Sequence, residues 1–207
     1  MRKDIVMKFI LASKSPRRKE ILENIGLDFQ IIVANADETC FDSNPSSYVK
    51  TVATRKGQAV FDLLNTQGKM TEDTIIIASD TIVVCENQIL GKPKNPEDAA
   101  RMLRMFSGKT HSVISGIALL SPQKTVARAE TTLVHFDTVP KREIEQYIAT
   151  SEPYDKAGAY AIQGFASLWI TGITGDYFNV VGFPIKCFST LLYEEYGLSL
   201  ANLVKKS

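Results

Sequence analysis

Short apolar runs alternate with stretches of helical period along almost the whole chain, and this alternation restricts the fold more than any other feature. Residues 7–12, with Phe9, Ile10 and Leu11, read as a first strand. Ser15 and Pro16 open a helix to about Asn24, and Gly26 stands where a C-terminal cap belongs. A strand over 29–33 precedes a long amphipathic helix from Pro45 to Leu64. Strands over 75–78 and 82–85 follow, the second pairing with 88–90 through a turn at Glu86-Asn87. Asn95 caps a helix over 96–106, with Pro96 at its first position. Two long antiparallel strands, 111–120 and 126–136, are joined around Ser121-Pro122. A helix over 141–149, a loop with a short helical piece over 151–163, a strand over 168–170 and a helix over 184–196 complete the order. Strands and helices in alternation make the class α/β with a mixed sheet.

With 207 residues, 44% of them hydrophobic, the chain can bury a sizeable core in one domain, and only Lys205, Lys206 and Ser207 read as an unordered end. A net charge of +1 provides no global basic field. Nucleic acid and membrane are therefore not expected partners, and an anionic ligand needs a local cationic cluster. The aromatic residues are not interleaved with basic ones as a base-stacking platform would require. Cys40, Cys85 and Cys187 are an odd, widely spaced set without a CxxC pair, which fits a reducing compartment. The apolar run near the start is too short for a membrane span and no cleavage pattern follows it, so the expected location is cytoplasmic. Neither GxxxxGK[ST] nor GxGxxG is present.

Chemistry concentrates in a few segments. Ser13-Lys14-Ser15-Pro16-Arg17-Arg18 puts two arginines in the first turn of a helix, where the dipole disfavours cations. Their placement makes sense beside a phosphate, and equally as a solvated pair beside an ordinary cap. Lys56 falls on the apolar stripe formed by Val49, Val52, Ala53, Ala59, Val60 and Leu63. It either meets an anion or snorkels to water. Asp80 ends the β-branched run Ile75-Ile76-Ile77-Ala78-Ser79, where an α/β sheet places ligand chemistry. Glu38 is a second acid just after a strand; with Asp80 it could hold magnesium, which shares oxygen ligands with phosphates. Lys92 lies in the tight Gly91-Lys92-Pro93 loop, and His111 reads more readily as a structural histidine than as a catalyst. Residues 152–164, ending in Gln163-Gly164, are dense in small and charged residues, as is 175–184, and both read as close-fitting loops. Gln163 can donate and accept, as a base-reading group must.

Taken together, LASKSPRRKEIL (11–22), Asp37-Glu38, Arg55-Lys56, ASDTIV (78–83), GKP (91–93), SGKTH (107–111), SEPYDKAGAYAIQG (151–164) and GDYFNVVGFP (175–184) resemble the Maf family of nucleotide pyrophosphatases. The matching segments run in family order over about 11–184. The resemblance implies one Maf-like domain over 1–207, similar in fold to the inosine-triphosphate pyrophosphatases, with a twisted mixed sheet and two lobes around a central cleft. It also implies hydrolysis of a nucleoside triphosphate between the α and β phosphates, with a divalent metal (Mg2+ or Mn2+). A second copy of the chain, as a homodimer, is an expected partner.

By the same resemblance, Asp80 is the catalytic base, Glu38 and Asp80 hold the metal, and Lys56 belongs to the catalytic group. Ser13, Arg18, Lys56 and Lys92 hold the phosphates. Members that prefer dTTP and UTP are similar to this chain at Arg17, Thr81 and Gln163, the substrate-reading positions. Members acting on 7-methyl-GTP carry an aromatic, a Gln and a Glu there. Ala161 and Asp176 depart from the residues many relatives have, Gly and Ser. The expected activity is therefore a dTTP and UTP pyrophosphatase with a house-cleaning role, extending to CTP or modified pyrimidine nucleotides and linked to cell-division arrest. The alternatives are a 7-methyl-GTP pyrophosphatase and a non-catalytic nucleotide-binding regulator of septum formation.

Overall fold

A computed structural model describes residues 7–204, so the end at 205–207 and the first six residues lie outside the described part. In chain order the elements are β1 (Lys8–Leu11), α1 (Pro16–Asn24), β2 (Phe29–Ile31), α2 (Pro45–Thr66), β3 (Thr74–Cys85), β4 (Gln88–Leu90), α3 (Pro96–Phe106), β5 (Thr110–Leu120) and β6 (Thr125–Phe136). Then come α4 (Lys141–Ile148), three 3-10 turns (Glu152–Asp155, Ala157–Ala159, Phe165–Trp169), β7 (Ile170–Thr174), α5 (Tyr177–Val181), α6 (Ile185–Tyr196) and α7 (Leu200–Leu203). The sheet is mixed, in the order β2-β1-β3-β5-β6-β7 with β4 on β3. β1 runs parallel to β2 and β3, whereas the β3–β4 and β6–β7 pairs are antiparallel. The expected α/β class with a mixed sheet is what the chain adopts.

The chain forms two compact units. Of the described residues, the first comprises those up to 80, 116–129 and those from 182; the second comprises 81–115 and 130–181. Ile10, Ala53, Val60, Leu64, Ile76, Ala118 and Leu120 pack together in the first. Leu103, Phe106, Val113, Phe136, Tyr147, Tyr160 and Trp169 pack together in the second. Among the described residues no helix is long and apolar enough to cross a membrane.

Local sequence explains most element starts. The Asn44 side chain accepts from Ser47 N–H at 3.0 Å and Pro45 follows, opening α2; Asn95 accepts from Asp98 N–H at 2.8 Å and Pro96 follows, opening α3. Glu86 and Asn87 both have positive φ, 49° and 60°, as a two-residue hairpin turn between β3 and β4 demands. Ser15 sits at the start of α1, but its side chain makes no capping bond. Ser13 Oγ accepts from Ser15 N–H at 3.2 Å instead.

Four expectations are corrected. The strands anticipated at 75–78 and 82–85 are one continuous strand, β3, so Asp80 lies within a strand rather than at its end. The polar trio can stay extended because each member has a partner: Ser79 Oγ donates to Gly182 O at 3.4 Å, Lys56 Nζ to Asp80 Oδ1 at 2.7 Å, and Thr81 Oγ1 lies 2.8 Å from Ser115 Oγ. The strand expected at 168–170 begins at Ile170, because Trp169 closes a 3-10 turn with its ring buried and Nε1 donating to Glu143 Oε2 at 2.7 Å. The 175–184 segment contains α5, started by Asp176 Oδ1 accepting from Phe178 N–H at 2.8 Å. Along α2 the deeply buried stripe includes Gly57 and Leu64 rather than Ala59 and Leu63.

Gly57 matters for position. A Cβ there would lie 2.2 Å from Leu120 Cδ1 and 3.3 Å from Ala78 Cβ. At Gly116 on β5 a Cβ would lie 2.4 Å from Val49 O. The two missing side chains let α2 lie close against β3 and β5, and Lys56 is the neighbour of one of them.

Candidate active site

In the first unit one ammonium holds two carboxylates. Lys56 Nζ lies 2.7 Å from Asp80 Oδ1 and 2.9 Å from Glu38 Oε2. The Lys56 and Asp80 side chains are only 18% and 14% exposed, so the amine is satisfied by acids and does not snorkel. Glu38 comes from the loop after β2 and remains open to solvent. Arg55, the neighbour of Lys56, ties that loop down by donating to the Thr39 carbonyl and lying 3.9 Å from Asp37. Asp37 also accepts from Thr39 N–H at 2.9 Å, a bond that holds its carboxyl below the usual range.

The Tyr48 hydroxyl, also on α2, is pushed above its ordinary pKa, first by burial and then by the charges of Asp80, Cys40 and Glu38. Sequence reasoning missed it. Its spacing of four and eight residues from Val52 and Lys56 was the available signal.

Arg18 is engaged by the protein itself. Its Nε donates to Gly182 O at 3.0 Å, and its Nη1 donates to Ser79 O at 2.7 Å and to Ser13 Oγ at 3.3 Å. Burial lowers the guanidinium pKa, with the Asp80 charge opposing. Ser13 is buried at the end of β1, and Arg17 is half-buried on the first turn of α1. Thus Ser13, Arg18, Lys56 and Asp80 share one unit, and Glu38 closes on Lys56.

The remaining expected residues belong to the second unit. Thr81, on β3, meets Ser115 Oγ, which donates to the Asn179 carbonyl at 3.2 Å. Ser115 has spent its proton there, so it accepts from Thr81. Asn179 is fully buried and its amide donates to Val113 O and Thr132 Oγ1, each at 3.0 Å. Lys92 and Gln163 are exposed, the latter on a turn before the Phe165–Trp169 segment. Lys156 is bound by Glu152 O at 2.7 Å and Asp155 Oδ1 at 2.5 Å.

His111 is structural, as expected. It is 2% exposed, stacks on Phe106 with ring centroids 4.2 Å apart, and shares a 2.7 Å hydrogen bond with Tyr160. Burial pulls its pKa down to about 3, so it stays neutral.

These placements can be compared with known proteins. The Maf-like protein family matches residues 8–195. The chain belongs to the Maf family. Among its relatives is a protein of Thermoanaerobacter pseudethanolicus named dTTP/UTP pyrophosphatase, 44% identical over 94% of this chain and 100% of that protein. Another of the same name, from Bacillus cytotoxicus, is 46% identical over 86% of this chain and 90% of its own length. The structure of the Staphylococcus aureus Ham1 protein is matched with a TM-score of 0.46 at 16% identity, over 62% of this Maf chain and 71% of that one.

Proposed function

We propose that this Maf chain hydrolyses dTTP and UTP to the monophosphate and pyrophosphate. The observation that carries the reading is the Lys56 ammonium shared by Asp80 and Glu38, in a chain whose relatives bear the dTTP/UTP pyrophosphatase name. Two carboxylates against one ammonium leave local negative charge, and among the described residues no group of three or more His, Cys, Asp or Glu could hold a metal. That donor set fits magnesium or manganese, which Asp80 and Glu38 would hold and share with oxygens of the substrate. When bound, such an ion neutralises charge that builds on the phosphates.

Asp80 accepts the proton of a water that attacks the α phosphorus, and the α–β bridging oxygen leaves with pyrophosphate. Lys56 holds one carboxylate oxygen, Oδ1, and so fixes the direction of the other. Ser13 and Lys92 bind phosphate oxygens. Arg17, Thr81 and Gln163 read the base; a Thr81 oxygen that donates its proton to Ser115 acts as an acceptor, which suits the N–H of uracil or thymine. The test is pyrophosphate release across a nucleotide panel with magnesium. UTP and dTTP are expected to turn over much faster than ATP, GTP or 7-methyl-GTP, and a preference for 7-methyl-GTP sinks the reading.

A further inference from the structure

The hydrogen bonds of Arg18 give it a different task from gripping phosphate. Three of its donor directions end on protein acceptors: Gly182 O, Ser79 O and Ser13 Oγ. Two of these are main-chain carbonyls from segments far apart in sequence. Ser79 is the residue before Asp80, fully buried, and its own hydroxyl donates to the same Gly182 carbonyl. The guanidinium therefore stitches β3, immediately before Asp80, to the start of the segment leading into α6.

The effect on Ser13 follows from counting its bonding capacity. A serine hydroxyl has one proton and two lone pairs. Ser13 Oγ accepts from Ser15 N–H at 3.2 Å and from Arg18 Nη1 at 3.3 Å, so both lone pairs are used. The residue is 8% exposed. What it retains is its proton, which makes it a donor suited to an anionic oxygen beside the helix start.

We infer that Arg18 is a positioning residue: it fixes the main chain at Ser79 and turns Ser13 into an obligate donor, and it does not itself bind the phosphates. The inference rests on the pyrophosphatase reading for Asp80, but the anion-binding part is separable from turnover. Arginine suits the task because its planar fork reaches two carbonyls and a hydroxyl at once, which a lysine cannot reproduce.

The experiment combines a double-variant cycle with two readouts. Wild type, Arg18→Lys, Ser13→Ala and the double variant are assayed for kcat and KM with UTP, and for binding of magnesium pyrophosphate by calorimetry, with circular dichroism to confirm folding. Arg18→Lys is expected to lower kcat by about tenfold to a hundredfold. It weakens pyrophosphate no more than Ser13→Ala does. In the Ser13→Ala background it weakens pyrophosphate by less than about twofold, since its route to the anion is then already cut. A further loss of about tenfold in that background means that Arg18 touches the phosphate, and overturns the inference. So does an unchanged kcat in a folded Arg18→Lys protein. If wild type hydrolyses no nucleotide, the pyrophosphatase reading fails, and the pyrophosphate arm still decides whether Arg18 contacts the anion.

Discussion

Lys56 in the first unit and His111 in the second are both basic groups withdrawn from water, and their surroundings differ in kind. Lys56 lies among acids: two carboxylates are within 2.9 Å of its amine, so opposite charge offsets its burial. His111 is among rings: Phe106 stacks on it, Phe136 and Tyr160 meet it edge-on, and its Nδ1 has no hydrogen-bond partner among the described residues. With no acid beside it, the imidazole loses its proton instead, and its pKa sits near 3. The first arrangement gathers charge in one place. The second stores none and belongs to the core. Depth of burial alone does not describe such a group; the sign of what surrounds it separates the two.

The largest expected effect tests the charged half of that contrast. Asp80→Asn preserves the shape of the residue and removes its charge, and kcat for UTP should fall at least about a hundredfold. Near-normal turnover in a folded variant would show that the cluster is structural after all.

A smaller effect tests the neutral half, through pH. Above about pH 6.5 His111 is neutral both folded and unfolded and adds no pH dependence. As pH falls below that value the unfolded chain gains a proton that the folded chain refuses until about pH 3, so stability is lost across this window. Between pH 6.5 and 5 the loss from this one group is about 2 kcal/mol. His111→Gln cannot titrate, and its urea midpoint should change less with pH over the same range. Parallel curves for the two proteins would remove His111 as the cause.

The smallest effect concerns exposed Gln163, which differs from both buried groups. A carboxylate has no N–H to offer a carbonyl, so Gln163→Glu should lower the ratio of UTP to 7-methyl-GTP kcat/KM by about tenfold, with a lesser change in kcat for UTP. An unchanged ratio would show that Gln163 does not read the base.

Much of the site was legible in the sequence as residue types. Lys56 on an apolar stripe left two readings open, an anion nearby or a snorkelling amine, and Asp80 and Glu38 stood out as acids beside strands. Tyr48 escaped notice because an aromatic on a helix near a core is ordinarily packing. Hydrophobic pattern alone places a break at the polar trio Ser79-Asp80-Thr81, because consecutive polar residues ordinarily mark a strand end. Their partners are Gly182, Lys56 and Ser115, none of them close in sequence.

What the sequence determined by itself was local: most of the strand and helix starts, the Asn95 cap and the Glu86-Asn87 turn. These depend on neighbours a few residues away and on side-chain period, both written in the chain. Only the tertiary structure decided that Lys56 meets Asp80, 24 residues distant, and that Arg18 meets Ser79 and Gly182, 61 and 164 residues distant. The acceptors of Arg18 are mainly backbone carbonyls, and every residue has one. No residue letter marks which carbonyl will be used, so that assignment waits on how β3 and the strand-to-helix segments pack.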